Sequence, residues 1–259
     1  MSGHKVTILG SGSSGGVPRI GGDWGACDPL EPRNRRLRCS ILVQRGGTNA
    51  LIDTSPDMRE QLLMARISLL HGVLYTHSHA DQANGIDDLR MVVMNMRKRV
   101  NVYADEVTFN ELNARFGYCF SQAEGASYPA ILNGHLIKDT AKVEGPGGVI
   151  EAAPFLVDHG GAHCVGYRFG NFAYTPDIVN LPEAGFAAIS GVDCWIVDAL
   201  RYTPHPTHSH LARTLQWIAR VKPKLAVLTN LHIDLDYQTL LRELPEGVVP
   251  AYDGMVLEF

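Results

Sequence analysis

Gly72-Val73-Leu74-Tyr75-Thr76-His77-Ser78-His79-Ala80-Asp81-Gln82 decides how the rest of this chain is read. Gly72 to Tyr75 is a short apolar run of the kind that forms a buried strand. It stops in two histidines two residues apart, with an aspartate two further on. Neutral imidazole and carboxylate oxygen both suit zinc, manganese or iron, so such a strand end has the donors to converge on one divalent cation. The competing reading is a surface loop that merely happens to be rich in histidine and aspartate.

Later strand ends tilt that choice. Val149 to Val157 reads as a long strand running into Asp158-His159-Gly160-Gly161. Phe172 to Tyr174 leads to Thr175-Pro176-Asp177, and Leu225 to Leu228 leads to Thr229-Asn230-Leu231-His232. Singly, each is ordinary: a buried histidine usually bonds a carbonyl, and a strand-end aspartate usually caps a helix. Together, His77, His79, Asp81, His159, Asp177 and His232 form a candidate metal set, each following an apolar strand.

The remaining elements fill in around these. Lys5 to Gly10 is a first strand leading into Gly10-Ser11-Gly12-Ser13-Ser14-Gly15-Gly16-Val17-Pro18. A Gly/Ser loop of this type lets backbone N–H groups approach an anion, or is a plain turn. It lacks the Gly-Lys-Ser/Thr of a nucleoside-triphosphate loop. Arg19, Arg33, Arg35, Arg36 and Arg38 follow as a basic cluster, suited either to a phosphate or to surface ion pairs. Cys39 to Gln44 and Asn49 to Asp53 read as a hairpin. A helix is expected from Asp57 to Ile67, a strand at Val100 to Ala104 and a helix at Glu106 to Phe116. Residues 117–148 read as a Gly/Pro-rich insertion with a short strand or two, and a short helix (Tyr237 to Glu243) and two strands close the chain. Strand-rich halves interspersed with helices, with no linker between them, predict one domain over 1–259: two sheets face to face with helices outside.

Composition sets bounds. The 259 residues are 45% hydrophobic and 19% charged, ordinary for a globular protein, and the formal net charge of -4 offers no general attraction to nucleic acid. Five scattered cysteines, none in a Cys-x-x-Cys pair, support neither a disulfide framework nor a cysteine-rich zinc module. With no leader-like or membrane-length apolar stretch, a soluble cytoplasmic protein is the expectation.

The set of motifs resembles the metallo-β-lactamase superfamily, whose signature is His-x-His-x-Asp-His, a later His, a bridging Asp and a last His. The Gly/Ser loop, Arg35-Arg36-Leu37-Arg38-Cys39-Ser40, Gly85-Ile86-Asp87-Asp88-Leu89-Arg90 and Asp234-Leu235-Asp236-Tyr237 look like its phosphodiesterase branch, which includes phosphoribosyl cyclic phosphate phosphodiesterases. Ribonuclease Z is a more distant relative. The resemblance covers nearly the whole chain. It implies an α+β fold, an αββα sandwich of two mixed sheets, with the site at the sheet edges.

It also implies roles. His77, His79 and His159 would form a first zinc or manganese site, with Asp177 bridging and Asp81 in a second. Two departures fall on that second site: Gln82 stands where the family has histidine, and Asn230 follows Thr229 where the last histidine often stands, with His232 two residues on. An amide oxygen is a weaker zinc ligand than imidazole. One filled site and a weak or altered second are therefore expected, without a structural zinc. In the family a downstream histidine assists the leaving group; His208 is the first choice and His205 the second, each otherwise a solvent-exposed ring before a helix. Ser13, Ser14 and Arg19 would hold phosphate. The expected activity is hydrolysis of a small cyclic or nucleotide-like phosphodiester, and the resemblance alone implies a homodimer. A one-metal nucleotide-binding relative that has lost catalysis ranks second. A tRNA-processing nuclease ranks low, because no long Gly/Pro-rich arm is present.

Overall fold

Burial alternating along the strands sorts their side chains into three apolar layers. The computed structural model describes residues 3–122, 124–125 and 127–259. In chain order the first half holds β1 (Lys5–Gly10), β2 (Ser40–Arg45), β3 (Thr48–Ile52), α1 (Met58–Met64), β4 (Gly72–Leu74), α2 (Ala80–Ala83), α3 (Leu89–Met96), β5 (Val100–Ala104), α4 (Glu106–Phe120) and β6 (Leu132–Leu136). The second holds β7 (Ala141–Gly145), β8 (Gly148–His159), β9 (Ala162–Phe169), β10 (Phe172–Thr175), α5 (Glu183–Ala188), β11 (Cys194–Asp198), α6 (Leu211–Val221), β12 (Leu225–Thr229), α7 (Tyr237–Glu243), β13 (Val248–Pro250) and β14 (Val256–Glu258).

One sheet has the order β14-β1-β2-β3-β4-β5-β6 and the other β13-β12-β11-β10-β9-β8-β7. Both are mixed: β3, β4, β5 and β6 run parallel, as do β10, β11, β12 and β13, while the β1–β2–β3 and β8–β9–β10 pairings are antiparallel. On β2, Ile41 and Val43 face the layer between the sheets and Leu42 faces the helices. On β11, Ile196 faces inward while Trp195 and Val197 face α6. This period of two, read on both sheets, builds the αββα sandwich that the sequence implies.

Two expectations need correction. The helix after β3 spans Met58–Met64, not Asp57 to Ile67, because Arg66 takes a left-handed φ of 56° and turns the chain. Nor is 117–148 an insertion. Helix α4 continues to Phe120, and β6 and β7 are the last strands of the two sheets, so the segment carries the chain from one sheet to the other. Residues 123 and 126 of it lie outside the described residues. The strand signal was weak because β6 is buried only at Leu132.

Trp195 fixes the outer layer of the second sheet. It is fully buried, and its Nε1 donates to Thr175 Oγ1 at 2.9 Å. Trp195→Ala leaves a large void and an unpaired hydroxyl, so it should cost about 3–5 kcal/mol of stability, read by urea unfolding.

Candidate metal centre

Strand β4 stops at Leu74 because the next residues commit their polar groups elsewhere. Thr76 N and Oγ1 both donate to the carboxylate of Asp53, each at 2.8 Å. Asp53 ends β3 with φ 64°, a left-handed geometry that aspartate tolerates. Thr76 Oγ1 is also 3.0 Å from His77 Nδ1. With the hydroxyl proton given to Asp53, His77 Nδ1 carries its own proton and Nε2 presents a lone pair. That Nε2 is buried and has no hydrogen-bond partner among the described residues.

His159 is arranged the same way. As the last residue of β8, it donates from Nδ1 to the Thr207 carbonyl at 2.7 Å. Its Nε2 therefore faces His79 Nδ1, 3.2 Å away. The three rings stand around a common point, with centroids 4.5, 5.0 and 5.1 Å apart. Burial and the neighbouring imidazoles hold His77 well below its ordinary pKa, and burial with His208 holds His159 at about 4. Both are neutral at pH 7, the form that binds metal. Three converging nitrogens, two of them on rings whose tautomer a neighbour sets and one buried without a partner among the described residues, fit a single divalent cation.

The surroundings of Asp177 are different in kind. This buried carboxylate accepts from Gln82 Nε2 at 2.8 Å on one oxygen and from Asn230 Nδ2 at 3.1 Å on the other. The positions where the family has histidine here supply two neutral amides, which donate one hydrogen bond to each Asp177 oxygen. Gln82 Oε1 is left buried and unpaired. Asn230 sits at φ 60° and also donates to the Pro176 carbonyl at 3.0 Å. Burial drives the Asp177 carboxyl well above the carboxylate range, with His208 pulling the other way. Gln82→His combined with Asn230→His removes both donors and supplies two imidazoles. That double variant should take up a second equivalent of zinc, counted by elemental analysis.

His208 lies beside this cluster. Its Nδ1 is 2.9 Å from Asp198 Oδ2 and 3.5 Å from Asp177 Oδ1, and its ring is 4.8 Å from that of His159. Ligand atoms of His159, Asp177 and His208 also lie within 4.8 Å of one another. Burial disfavours the imidazolium, but Asp198, Asp177 and Asp81 outweigh it and raise His208 to about 9. His205 is next in line, its ring 5.2 Å from His208. Asp81, on the first turn of α2, acts electrostatically on both Asp177 and His208.

His232 does not join the cluster. Its Nδ1 lies 3.0 Å from Asp234 Oδ1, and its Nε2 contacts the guanidinium of Arg19. The left-handed turn at Asn230 points residue 230 into the site and carries residue 232 past it. Arg19 is half-buried, Ser14 exposed, and Ser13 buried with its N–H donated to Leu231 O. The glycines of this loop serve close packing first: a Cβ on Gly10 would sit 2.0 Å from Arg38 O, and one on Gly12 2.9 Å from Arg36 Cβ. The basic cluster is mostly structural. Arg36 is buried and donates to the carbonyls of His232 and Leu235, Arg38 pairs with Asp57, and Arg33 and Arg35 lie over aromatic rings.

Asp198, Thr76, Thr207 and Asp53 hold the site together and are not evident from the sequence as functional. Asp198 alone carries a signal, a lone carboxylate closing an apolar strand. A cavity of about 500 Å³ opens beside the histidines, bounded by His77, His79, Val107, Glu111, Ala114 and His163.

The fold and the three-histidine centre define a class that comparison with known proteins makes explicit. Residues 48–233 match the family described as the beta-lactamase superfamily domain, and the chain belongs to that superfamily. Among solved structures it is similar to a diphosphatase of the PhnP family, at 37% identity and a TM-score of 0.89 over 99% of this chain and 98% of that one. Zn(2+)-bound PqqB from Methylobacterium extorquens (20% identity, TM-score 0.73, 98% and 100% covered) and human tRNase Z, short form (16%, 0.62, 98% of each) share the fold. An octanoyltransferase of Porphyromonas gingivalis is 30% identical over 255 residues, 97% of this chain. The chain spans about half the length of that curated relative, 51%. Among the described residues no helix is long and apolar enough to cross a membrane.

Proposed function

We propose that the chain is a single-ion hydrolase of phosphoric esters or anhydrides, acting on a small phosphodiester or diphosphate. The observation that carries this reading is the convergence of His77 Nε2, His79 Nδ1 and His159 Nε2, with the first buried and unpartnered. The 37% identical PhnP-family diphosphatase supports the substrate class.

His77, His79 and His159 would hold the ion, zinc or manganese. When bound, it supplies Lewis acidity, which makes a water acidic and offsets charge on a phosphoryl oxygen. Other groups belong to the chain itself. Asp81, on the first turn of α2, would take the proton of the attacking water. His208, its Nδ1 held by Asp198, is left with Nε2 to hand a proton to the leaving oxygen, and His205 stands behind it. Asp177, with Gln82 and Asn230 on its two oxygens, is a fixed acceptor that keeps the β10 end and the β12 end in register with α2. Arg19 and Ser14, at the end of and within the Gly/Ser loop, would hold the substrate's phosphate. His232, proposed from sequence as a ligand, instead braces Arg19.

Hydrolysis of bis-p-nitrophenyl phosphate, a 2′,3′-cyclic nucleotide and a nucleoside diphosphate sugar, with zinc and manganese supplied separately, tests this. Turnover of at least one phosphorus substrate, abolished by chelator, is the expected result. The likeness to an octanoyltransferase motivates p-nitrophenyl octanoate as a parallel substrate. Turnover of the octanoate alone would replace phosphorus chemistry with acyl chemistry at the same centre. Tight nucleotide binding without turnover would favour the binding-protein reading.

A further inference from the structure

The three ligands are not equally supported. His77 is fixed by Thr76 and His159 by the Thr207 carbonyl, but His79 is exposed, and its Nε2 has no hydrogen-bond partner among the described residues. Its position depends on the backbone that carries it. That backbone is gripped from α4. Glu111 and Arg115, one turn apart, lie on the same face of the helix. Ser78, the residue between the two ligand histidines, donates from Oγ to Glu111 Oε2, and its carbonyl accepts from Arg115 Nη1. The second arm of the Arg115 fork donates to Asn84 Oδ1 at 2.6 Å. Asn84 caps the C-terminus of α2. One guanidinium thus bridges both ends of the turn that carries His79, Asp81 and Gln82.

Helix α4 is itself anchored. Leu112 and Cys119 are fully buried on its inner face, and its N-cap Asp105 accepts from Thr108 N at 2.9 Å. Asp105 also contacts His163 of β9, the strand paired with the His159 end of β8. Helix α4 therefore spans from the ligands of one sheet to the hairpin that carries the ligand of the other.

We infer that Glu111 and Arg115 are positioning residues that set the place of His79 and hence the affinity of the centre for its ion. The inference rests on the metal reading of the three histidines. Partners that orient ligands are worth about 10- to 100-fold in metal affinity, and a planar two-armed donor is not replaced by a lysine, which can satisfy one end only.

Cobalt(II) binding to the apo-protein, followed by visible absorption and by calorimetry, tests it without reference to any substrate. Arg115→Ala and Glu111→Ala should each weaken cobalt binding by about tenfold or more, with Arg115→Lys restoring only part of the loss and with the absorption band altered. Circular dichroism checks that the variants fold. If a helix variant fails to fold, Ser78→Ala decides, because it removes the Glu111 contact and leaves α4 intact. Wild-type binding with unchanged affinity and spectrum in the folded variants overturns the inference while the metal centre stands. A wild-type chain that takes up no cobalt overturns both.

Discussion

His208→Ala lowers kcat by about 10²- to 10⁴-fold on a substrate that expels an alkoxide, the range for a positioned general acid. On p-nitrophenyl esters the same change has little effect, because p-nitrophenolate leaves without protonation. The contrast separates proton donation from ion binding, which would slow both substrates alike. Asp198→Asn should mimic the first effect in weaker form, since Asp198 Oδ2 holds His208 Nδ1 at 2.9 Å. The pH profile follows from the same contacts. Asp198, Asp177 and Asp81 raise His208 to about 9 against the cost of burial. The donor is the protonated form, so kcat on alkoxide substrates falls as pH rises through that value. A cation at the three histidines repels the imidazolium, so the alkaline limb lies at or below about 9. It should vanish in His208→Ala.

His77→Ala removes the ion and, with it, hydrolysis of every phosphorus substrate. Outer partners of a metal site are worth about 10- to 100-fold in affinity, and a ligand itself exceeds them, so the loss should be more than about 100-fold. His77 is the sharpest choice of the three. Its ring is almost fully buried, and its Nε2 has no partner among the described residues. Metal titration of the variant is the measurement. Because Thr76 keeps its two bonds to Asp53, the strand end should persist and the variant should remain folded.

What the sequence revealed divides along physical lines. The convergence of His77, His79 and His159 was legible only as a set, because each strand-end histidine alone is ordinary while several together are not. Two facing sheets followed from the strand-rich halves, the family likeness gave the αββα form, and the strand orders show it. For 117–148 the sequence shows no more than a short strand or two, because β6 is buried only at Leu132, although β7 keeps the alternation with Ala141 and Val143 buried. The place of His232 was not legible. Its neighbour Asn230 takes the left-handed turn that puts residue 230, not 232, toward Asp177. Arg36 reads as a surface charge, yet it is buried on carbonyls 196 and 199 residues away in the chain. The Glu111–Arg115 grip on Ser78 was hidden for the same reason, because nothing local announces a partner a helix away.

Three imidazoles converge at one point, and two amides donate to the carboxylate beside it, which predicts one bound cation rather than two. Elemental analysis of protein purified without chelator measures this directly. One equivalent of divalent metal per chain, lost in His77→Ala and in stripped protein that no longer turns over phosphorus substrates, is the result predicted. Two equivalents in the natural chain, or full activity in protein free of metal, would contradict it.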